Sequence, residues 1–284
     1  MAFNILITGS GGFIGSNLKK YLSDKYDLLT PRSYELDLCN KEAVLEYFLK
    51  NKIDFIIHCA TNGGIRGIPD EETTLQNNIS MVENLICAKE KDTRMILFGS
   101  GAMYGKDRDL HKIKESELGK YIPKDLYGLS KMKIAQKISE REDVLCLNIF
   151  ACYGYNEKET RFPSYAIKQN IENKPIEINQ NVVFDYLFSE DMCKIVEFFI
   201  KNKPQDKIIN ITPSKSVSLL YISDIINKIS DYKCDIIIKR HGINFEYTGD
   251  NALLLKNYPD IEFTQIELGI KKLYNYIKSE KSGK

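Results

Sequence analysis

Apolar runs and amphipathic stripes alternate through the first half of the chain. Phe3-Asn4-Ile5-Leu6-Ile7 is a short apolar run of the kind a buried parallel strand needs, and residues 16–22 follow as an amphipathic stretch. Asp27-Leu28-Leu29 reads as a second strand. Residues 41–51 read as a helix, with Val44, Leu45, Phe48 and Leu49 on one face. Residues 55–60 form a buried strand, 75–91 a long helix, 95–98 a strand, 125–141 a helix and 144–150 a strand. This alternation predicts an α/β fold built on a doubly wound parallel sheet. Right-handed crossovers in such a sheet place ligands over the carboxyl ends of its strands.

After Gly154 the pattern loosens. Residues 161–173, 191–201, 219–229 and 265–278 read as helices, and 175–178 and 235–239 as short strands. These pieces are too few and too interleaved for a second full sheet, so they predict a small C-terminal α/β lobe. Residues 1–160 then form a Rossmann-type dinucleotide-binding domain, to which residues near 182–203 return. Residues 161–181 and 204–284 form the lobe that covers the substrate.

Composition narrows the classes. The chain has 284 residues and a net charge of +1, and its acids and bases are interspersed, so no basic face argues for nucleic acid. No apolar stretch approaches the ~18–20 residues of a membrane span. No charged-then-apolar leader precedes the first strand, and the expectation is a cytoplasmic protein. The seven cysteines are scattered and form no C-x-x-C pair, as expected for reduced thiols rather than a disulfide frame. His58, His111 and His241 lack metal-ligand spacing, and no metal is expected.

Two motifs carry chemistry. Gly9, Gly12 and Gly15 stand in T-G-S-G-G-F-I-G, between a strand and a helix. Glycines there let a pyrophosphate approach free backbone N–H groups at the positive end of the helix dipole. The spacing is G-x-x-G-x-x-G. Further on, Tyr127 and Lys131 are four residues apart in Y-G-L-S-K and therefore share a helix face. A free phenol, with a pKa near ~10, is a poor acid–base at neutral pH. A neighbouring ammonium would lower that pKa and let the phenol exchange a proton with a substrate oxygen. Ser100 ends the strand at 95–98, where its hydroxyl can hydrogen-bond the same oxygen.

Together with I-I-H-C-A, I-F-A-C-Y-G and F-D-Y-L-F-S-E-D-M, these motifs fall in the order of a known family. The chain resembles the extended short-chain dehydrogenases/reductases, in the NAD-dependent epimerase/dehydratase branch that acts on nucleotide sugars. Residues 32–38, 52–65 and 97–105 are most similar to the GDP-fucose synthases. The resemblance implies Ser100, Tyr127 and Lys131 as the catalytic three. It implies a cofactor site of Gly9, Gly12, Phe13, Ile14, Gly15, Arg32, Ser33, Asp37, Leu38, Cys59, Ala60 and Lys131. Asn62, Gly63, Ser100, Ala102, Tyr127, Arg161 and Lys168 are the substrate candidates, and Asn78 should make a helix-to-loop polar contact. A homodimer through the helices at 75–91 and 125–141 is a further family expectation.

The departures from the family pattern are informative. Ala102 stands where the synthases have a cysteine, and a second epimerising histidine aligns near Thr160. The 4,6-dehydratases carry an Asp-Glu pair where this chain has Gly101-Ala102. The site is thus expected to hold no acid or base beyond Tyr127, which leaves redox at a single carbon. Thr30-Pro31-Arg32-Ser33 lacks the carboxylate that holds the adenosine ribose of NAD, and Arg32 and Ser33 suit a 2′-phosphate. NADPH is therefore the expected cofactor, ahead of NAD(H). The expected function is reduction of a nucleotide-linked 4-keto-6-deoxyhexose at C4, in deoxysugar supply for a surface polysaccharide. An NAD-dependent C4 epimerase and a non-catalytic nucleotide-binding protein on the same fold are the alternatives.

Overall fold

The computed structural model describes residues 3–65 and 67–282. Its elements run β1 (Asn4–Thr8), α1 (Phe13–Leu22), β2 (Asp27–Leu29), α2 (Lys41–Lys50), β3 (Phe55–His58), α3 (Thr74–Ala88), β4 (Arg94–Ser100), β5 (Leu110–Ile113), α4 (Leu126–Ile138), β6 (Val144–Ile149) and β7 (Ala151–Tyr153). There follow α5 (Phe162–Ile171), β8 (Ile176–Asn181), β9 (Val183–Phe184), β10 (Tyr186–Phe188), α6 (Ser189–Lys201), β11 (Ile208–Asn210) and β12 (Val217–Ser218). The last are α7 (Leu219–Ile229), β13 (Ile236–Ile243), β14 (Tyr247–Gly249), α8 (Ala252–Asn257) and α9 (Ile266–Ser282).

Among these residues a six-stranded parallel sheet has the order β11-β6-β4-β3-β1-β2. Its strands are apolar on both faces because helices cover both. Ile5, Ile7, Phe55, Ile57, Ile96 and Phe98 pack on one side with Leu18 and Leu22 of α1 and Ile195, Val196 and Phe199 of α6. Leu6, Ile56, Met95 and Leu97, one step out of phase, pack on the other with Val44 of α2, Leu85 of α3 and Ile138 of α4. The chain reverses its direction of travel between β1 and β3. That switch point opens a crevice at the carboxyl ends of the two strands.

A third core, from α5, α7 and α9 over β8 and β13, builds the lobe. The expected lobe boundary needs one correction. Residues from 204 onward were assigned to the lobe, but Ile208–Asn210 is the edge strand β11, paired with β6. Ile209 and Ile211 are buried in the sheet core, so this short apolar run completes the sheet instead of leaving it.

A small sheet, β12-β9-β14-β5, seats the lobe on the larger domain. Asp185, between β9 and β10, is 1% exposed and holds this junction. Its carboxylate accepts from Lys112 Nζ (3.2 Å), Ser216 Oγ (2.5 Å) and the Gly249 amide (2.9 Å). Asp185→Asn would turn an NH₂ group toward donors that need an acceptor. The variant is expected to lose about 2 kcal/mol of unfolding free energy, as read by urea denaturation. An unchanged midpoint and slope would show that the junction does not depend on this carboxylate.

Candidate active site

A cleft of about 1450 Å³ lies over the carboxyl ends of β1, β3, β4 and β6 and under the lobe. Pockets for a single drug-sized ligand run to roughly 300–1,000 Å³, so there is room for two ligands side by side. At one end is the glycine turn. Gly9 has φ +64°, and a Cβ on it would stand 2.6 Å from the Ala60 amide nitrogen, so only glycine lets β1 and β3 end this close together. Gly12 is the N-cap of α1 and makes no side-chain cap bond, and the first turn holds no acid. The amides of that turn are available to a phosphate. These features fit a dinucleotide.

The adenosine end of the cleft is lined by Arg32, Ser33, Leu36, Asp37, Leu38 and Cys39. The Arg32 guanidinium lies against Gly11, where any side chain would collide with it. Glu35 accepts the Arg32 backbone amide at 2.6 Å. Asp37 accepts the Cys39 amide at 2.9 Å and shapes the turn. The other proposed cofactor contacts, Phe13, Ile14, Gly15, Cys59 and Ala60, also line the cleft. Beneath them His58 is paired with Thr8 Oγ1 at 2.8 Å, and burial lowers its pKa to about 3, so the ring is neutral and ties β1 to β3.

Ser100, Tyr127 and Lys131 converge at the centre of the cleft. Asp125 caps α4 by accepting the Gly128 amide at 2.9 Å, and this places Tyr127 in the first turn. A second carboxylate fixes the same turn: Asp70 accepts the Tyr127 amide (2.8 Å) and the Gly64 amide (2.9 Å). Gly64 has φ +69°, and a Cβ there would stand 2.9 Å from the Tyr127 ring. Asn78 holds the preceding loop, accepting from the Asn62 amide (2.7 Å) and donating to the Asn62 carbonyl (3.0 Å) and Ser130 Oγ (2.9 Å). This is the expected helix-to-loop contact.

The electrostatics differ from the expectation. Lys131 is 7% exposed and donates to the Phe98 carbonyl at 2.9 Å, and its ammonium lies 5.5 Å from the centroid of the Tyr127 ring. Burial lowers the Lys131 pKa to about 8. Burial raises the Tyr127 pKa, opposed by a Ser100 hydrogen bond and by the charge of Arg161. Two cations therefore stand near the phenol: Arg161, and Lys131, which is over the ring and also bonds the Phe98 carbonyl of β4. Burial outweighs both favourable effects, so Tyr127 is protonated at neutral pH.

Arg161 is the N-cap residue of α5, and its guanidinium lies 5.8 Å from the Phe13 ring centroid. The buried Glu157 fixes that helix start, accepting from the Ser164 amide (3.0 Å) and hydroxyl (2.7 Å). Burial raises the Glu157 carboxyl to about 7. Among the proposed substrate contacts, Asn62, Gly63, Ser100, Ala102, Tyr127 and Arg161 line the cleft. Lys168 does not; it is on the far turn of α5, paired with Glu159 on the surface. It is corrected from a substrate contact to a surface ion pair.

Sequence reasoning missed one wall of the site. Tyr104, Phe150, Tyr247, Phe184 and Tyr186 form a chain of ring contacts with centroids 5.4–6.2 Å apart. Tyr247 lines the cleft with its hydroxyl against Gly101. The cleft thus holds a second phenol beside Tyr127, and burial raises its pKa. No local signal marks it, since E-Y-T-G is unlike any motif and is brought to the cleft by β14 pairing with β5 and β9. Among the described residues, no cluster of His, Cys, Asp and Glu is suited to hold a metal, and no helix is long and apolar enough to cross a membrane.

Comparison with known proteins agrees with this geometry. The model of the NAD dependent epimerase/dehydratase family matches residues 5–212. GDP-L-colitose synthase of Yersinia pseudotuberculosis is 28% identical, over 98% of this chain and 99% of its own length. GDP-L-fucose synthase of Azorhizobium caulinodans is 24% identical, over 82% of each chain. Among solved structures, the GDP-mannoheptose C4 reductase of Campylobacter jejuni, with NADP bound, superposes with a TM-score of 0.84 at 17% identity, covering 98% of both chains.

Proposed function

The chain belongs to the NAD dependent epimerase/dehydratase family, and from that premise we propose that it is an NADPH-dependent reductase of a nucleotide-linked 4-keto-6-deoxyhexose. The coarser part of this reading, an oxidoreductase-type enzyme on nucleotide sugars with a nicotinamide cofactor, is the part its relatives support. The observation that carries the finer part is Ser100 and Tyr127 together in a cleft large enough for two ligands, with Arg32 at its other end. Tyr127 can give its proton to the alkoxide that hydride addition creates. Arg32 favours NADPH, and NADPH favours net reduction over a closed epimerisation cycle.

Bound NADPH would supply a hydride to the sugar C4. Tyr127 holds the proton that the resulting alkoxide takes up, so a C=O bond becomes a CH–OH group. Ser100 orients the reacting oxygen. Arg161, in the cleft near Tyr127, is suited by its charge to the diphosphate of the sugar nucleotide. Lys131 and the α1 turn would hold the cofactor ribose and pyrophosphate. Arg32 and Ser33 would hold the 2′-phosphate that distinguishes NADPH from NADH.

The direct test follows NADPH absorbance with GDP-linked and other nucleotide-linked 4-keto-6-deoxy sugars, then identifies the product by NMR. Consumption of one NADPH per 4-hydroxy sugar formed is expected. A protein that purified with NAD bound, and interconverted C4 epimers without added cofactor, would be an epimerase instead.

A further inference from the structure

Both polar backbone groups of Tyr127 lead, through side chains, to one turn of the cleft wall, Asn62-Gly63-Gly64. On the amide side the link is Asp70. Its Oδ2 accepts from the Tyr127 amide (2.8 Å) and its Oδ1 from the Gly64 amide (2.9 Å), so one carboxylate bridges the two. On the carbonyl side, Ser130 Oγ donates to the Tyr127 carbonyl (2.7 Å) and accepts from Asn78 Nδ2 (2.9 Å). Asn78 in turn holds Asn62 by its amide (2.7 Å) and its carbonyl (3.0 Å). Asn78 and Ser130 are buried, so water does not compete for these bonds.

The Tyr127 ring closes the same circuit. A Cβ on Gly64 would stand 2.9 Å from Cε1, Cε2 and Cζ of that ring, so the turn lies directly on the carbon that bears the hydroxyl. A Cβ on Gly63 would stand 2.5 Å from Asp70 Oδ1, so the turn is packed as closely on the carboxylate. Helix α4 has its own cap in Asp125, which accepts the Gly128 amide at 2.9 Å. Asp70 is therefore a second carboxylate at a helix start that already has one. It does not line the cleft, whereas Asn62, Gly63, Gly64 and Tyr127 all do. A carboxylate outside the cleft, bonded to the amides of the proton donor and of the glycine on its ring, acts on where that donor stands.

We propose that Asp70 is a positioning residue for this reaction. It ties the turn at residues 62–64 to the first turn of α4, and so holds the Tyr127 phenol in register with a sugar nucleotide seated on that turn. Register matters because a misplacement of about 1 Å at a reacting group can cost ~10²-fold in rate. The proposal rests on the reductase reading for its substrate, but the bridge itself exists without substrate.

Asp70→Asn tests it, since the amide keeps the shape but offers one acceptor oxygen and turns an NH₂ group toward the second donor. In the NADP⁺ complex, hydrogen exchange read by NMR is expected to be about tenfold faster at the Tyr127 amide, the Gly64 amide or both, with the later turns of α4 as protected as in the wild type. With a 4-keto sugar nucleotide, kcat is expected to fall about tenfold while the Kd for NADPH stays unchanged. Unchanged exchange at both amides would overturn the bridge, and undiminished kcat would overturn the positioning role. Loss of protection along all of α4, or failure of the variant to fold, would make Asp70 a support of the helix and would also overturn it. Silence of the wild-type enzyme on every such sugar would remove the reductase reading alone. The phenol is then followed in the NADP⁺ complex by labelling tyrosine at the ring carbon that bears the hydroxyl, with Tyr127 identified by the signal lost in Tyr127→Phe. Asp70→Asn is expected to move that signal, and an unmoved signal would end the proposal.

Discussion

Tyr127→Phe is expected to lower kcat about a thousandfold while NADPH still binds, because a positioned acid contributes roughly 10²–10⁴ to such a step. The phenylalanine ring fits where the tyrosine ring sits over Gly64, so the loop and the cleft wall keep their shape. The amide of residue 127 still donates to Asp70, so α4 starts in the same place. Only the proton donor is removed. Cofactor contacts at the glycine turn and at Arg32 lie elsewhere in the cleft, and fluorescence titration of NADPH should give an unchanged Kd. Wild-type turnover in this variant would remove Tyr127 from the chemistry.

Local signals along the chain mark some elements of the site, and tertiary packing alone makes the others. The β-α alternation and the glycine turn were legible because apolar runs and special-φ residues are local signals. Helices 41–51 and 219–229 fall within a residue of α2 and α7. The short strands β5, β7, β9, β10, β12 and β14, two to four residues each, have no period to read. They form because tertiary packing supplies partners, as when Asp185 draws Lys112, Ser216 and Gly249 together. Tyr247 and Asp70 belong to this non-local class, and so both were missed. Lys131 shows a different limit. Its helical spacing from Tyr127 was read correctly, but spacing does not report burial. The buried ammonium donates to the Phe98 carbonyl while standing over the Tyr127 ring, and Arg161, thirty-four positions further along than Tyr127, adds a second charge near the phenol.

The electrostatic choice at the other end of the cleft has a comparable expected effect. Arg32→Ala should weaken NADPH binding about a hundredfold and leave NADH binding nearly unchanged. A charge-assisted, bidentate contact to phosphate is worth roughly 1.5–3 kcal/mol, and a factor of ten corresponds to about 1.4 kcal/mol. The guanidinium is already placed by its contact with Gly11, and the Arg32 amide is held by Glu35, so little order need be gained on binding. Arg32→Lys keeps the charge but not the fork, and an intermediate loss is expected. The preference should also fall as salt rises, since Arg32 is exposed and its charge is open to screening. Fluorescence titrations with both cofactors would measure all three effects. Equal affinity of the wild-type protein for NADH and NADPH would mean that Arg32 packs on the glycine turn without reading the 2′-phosphate, and the preference for net reduction over epimerisation would fall with it.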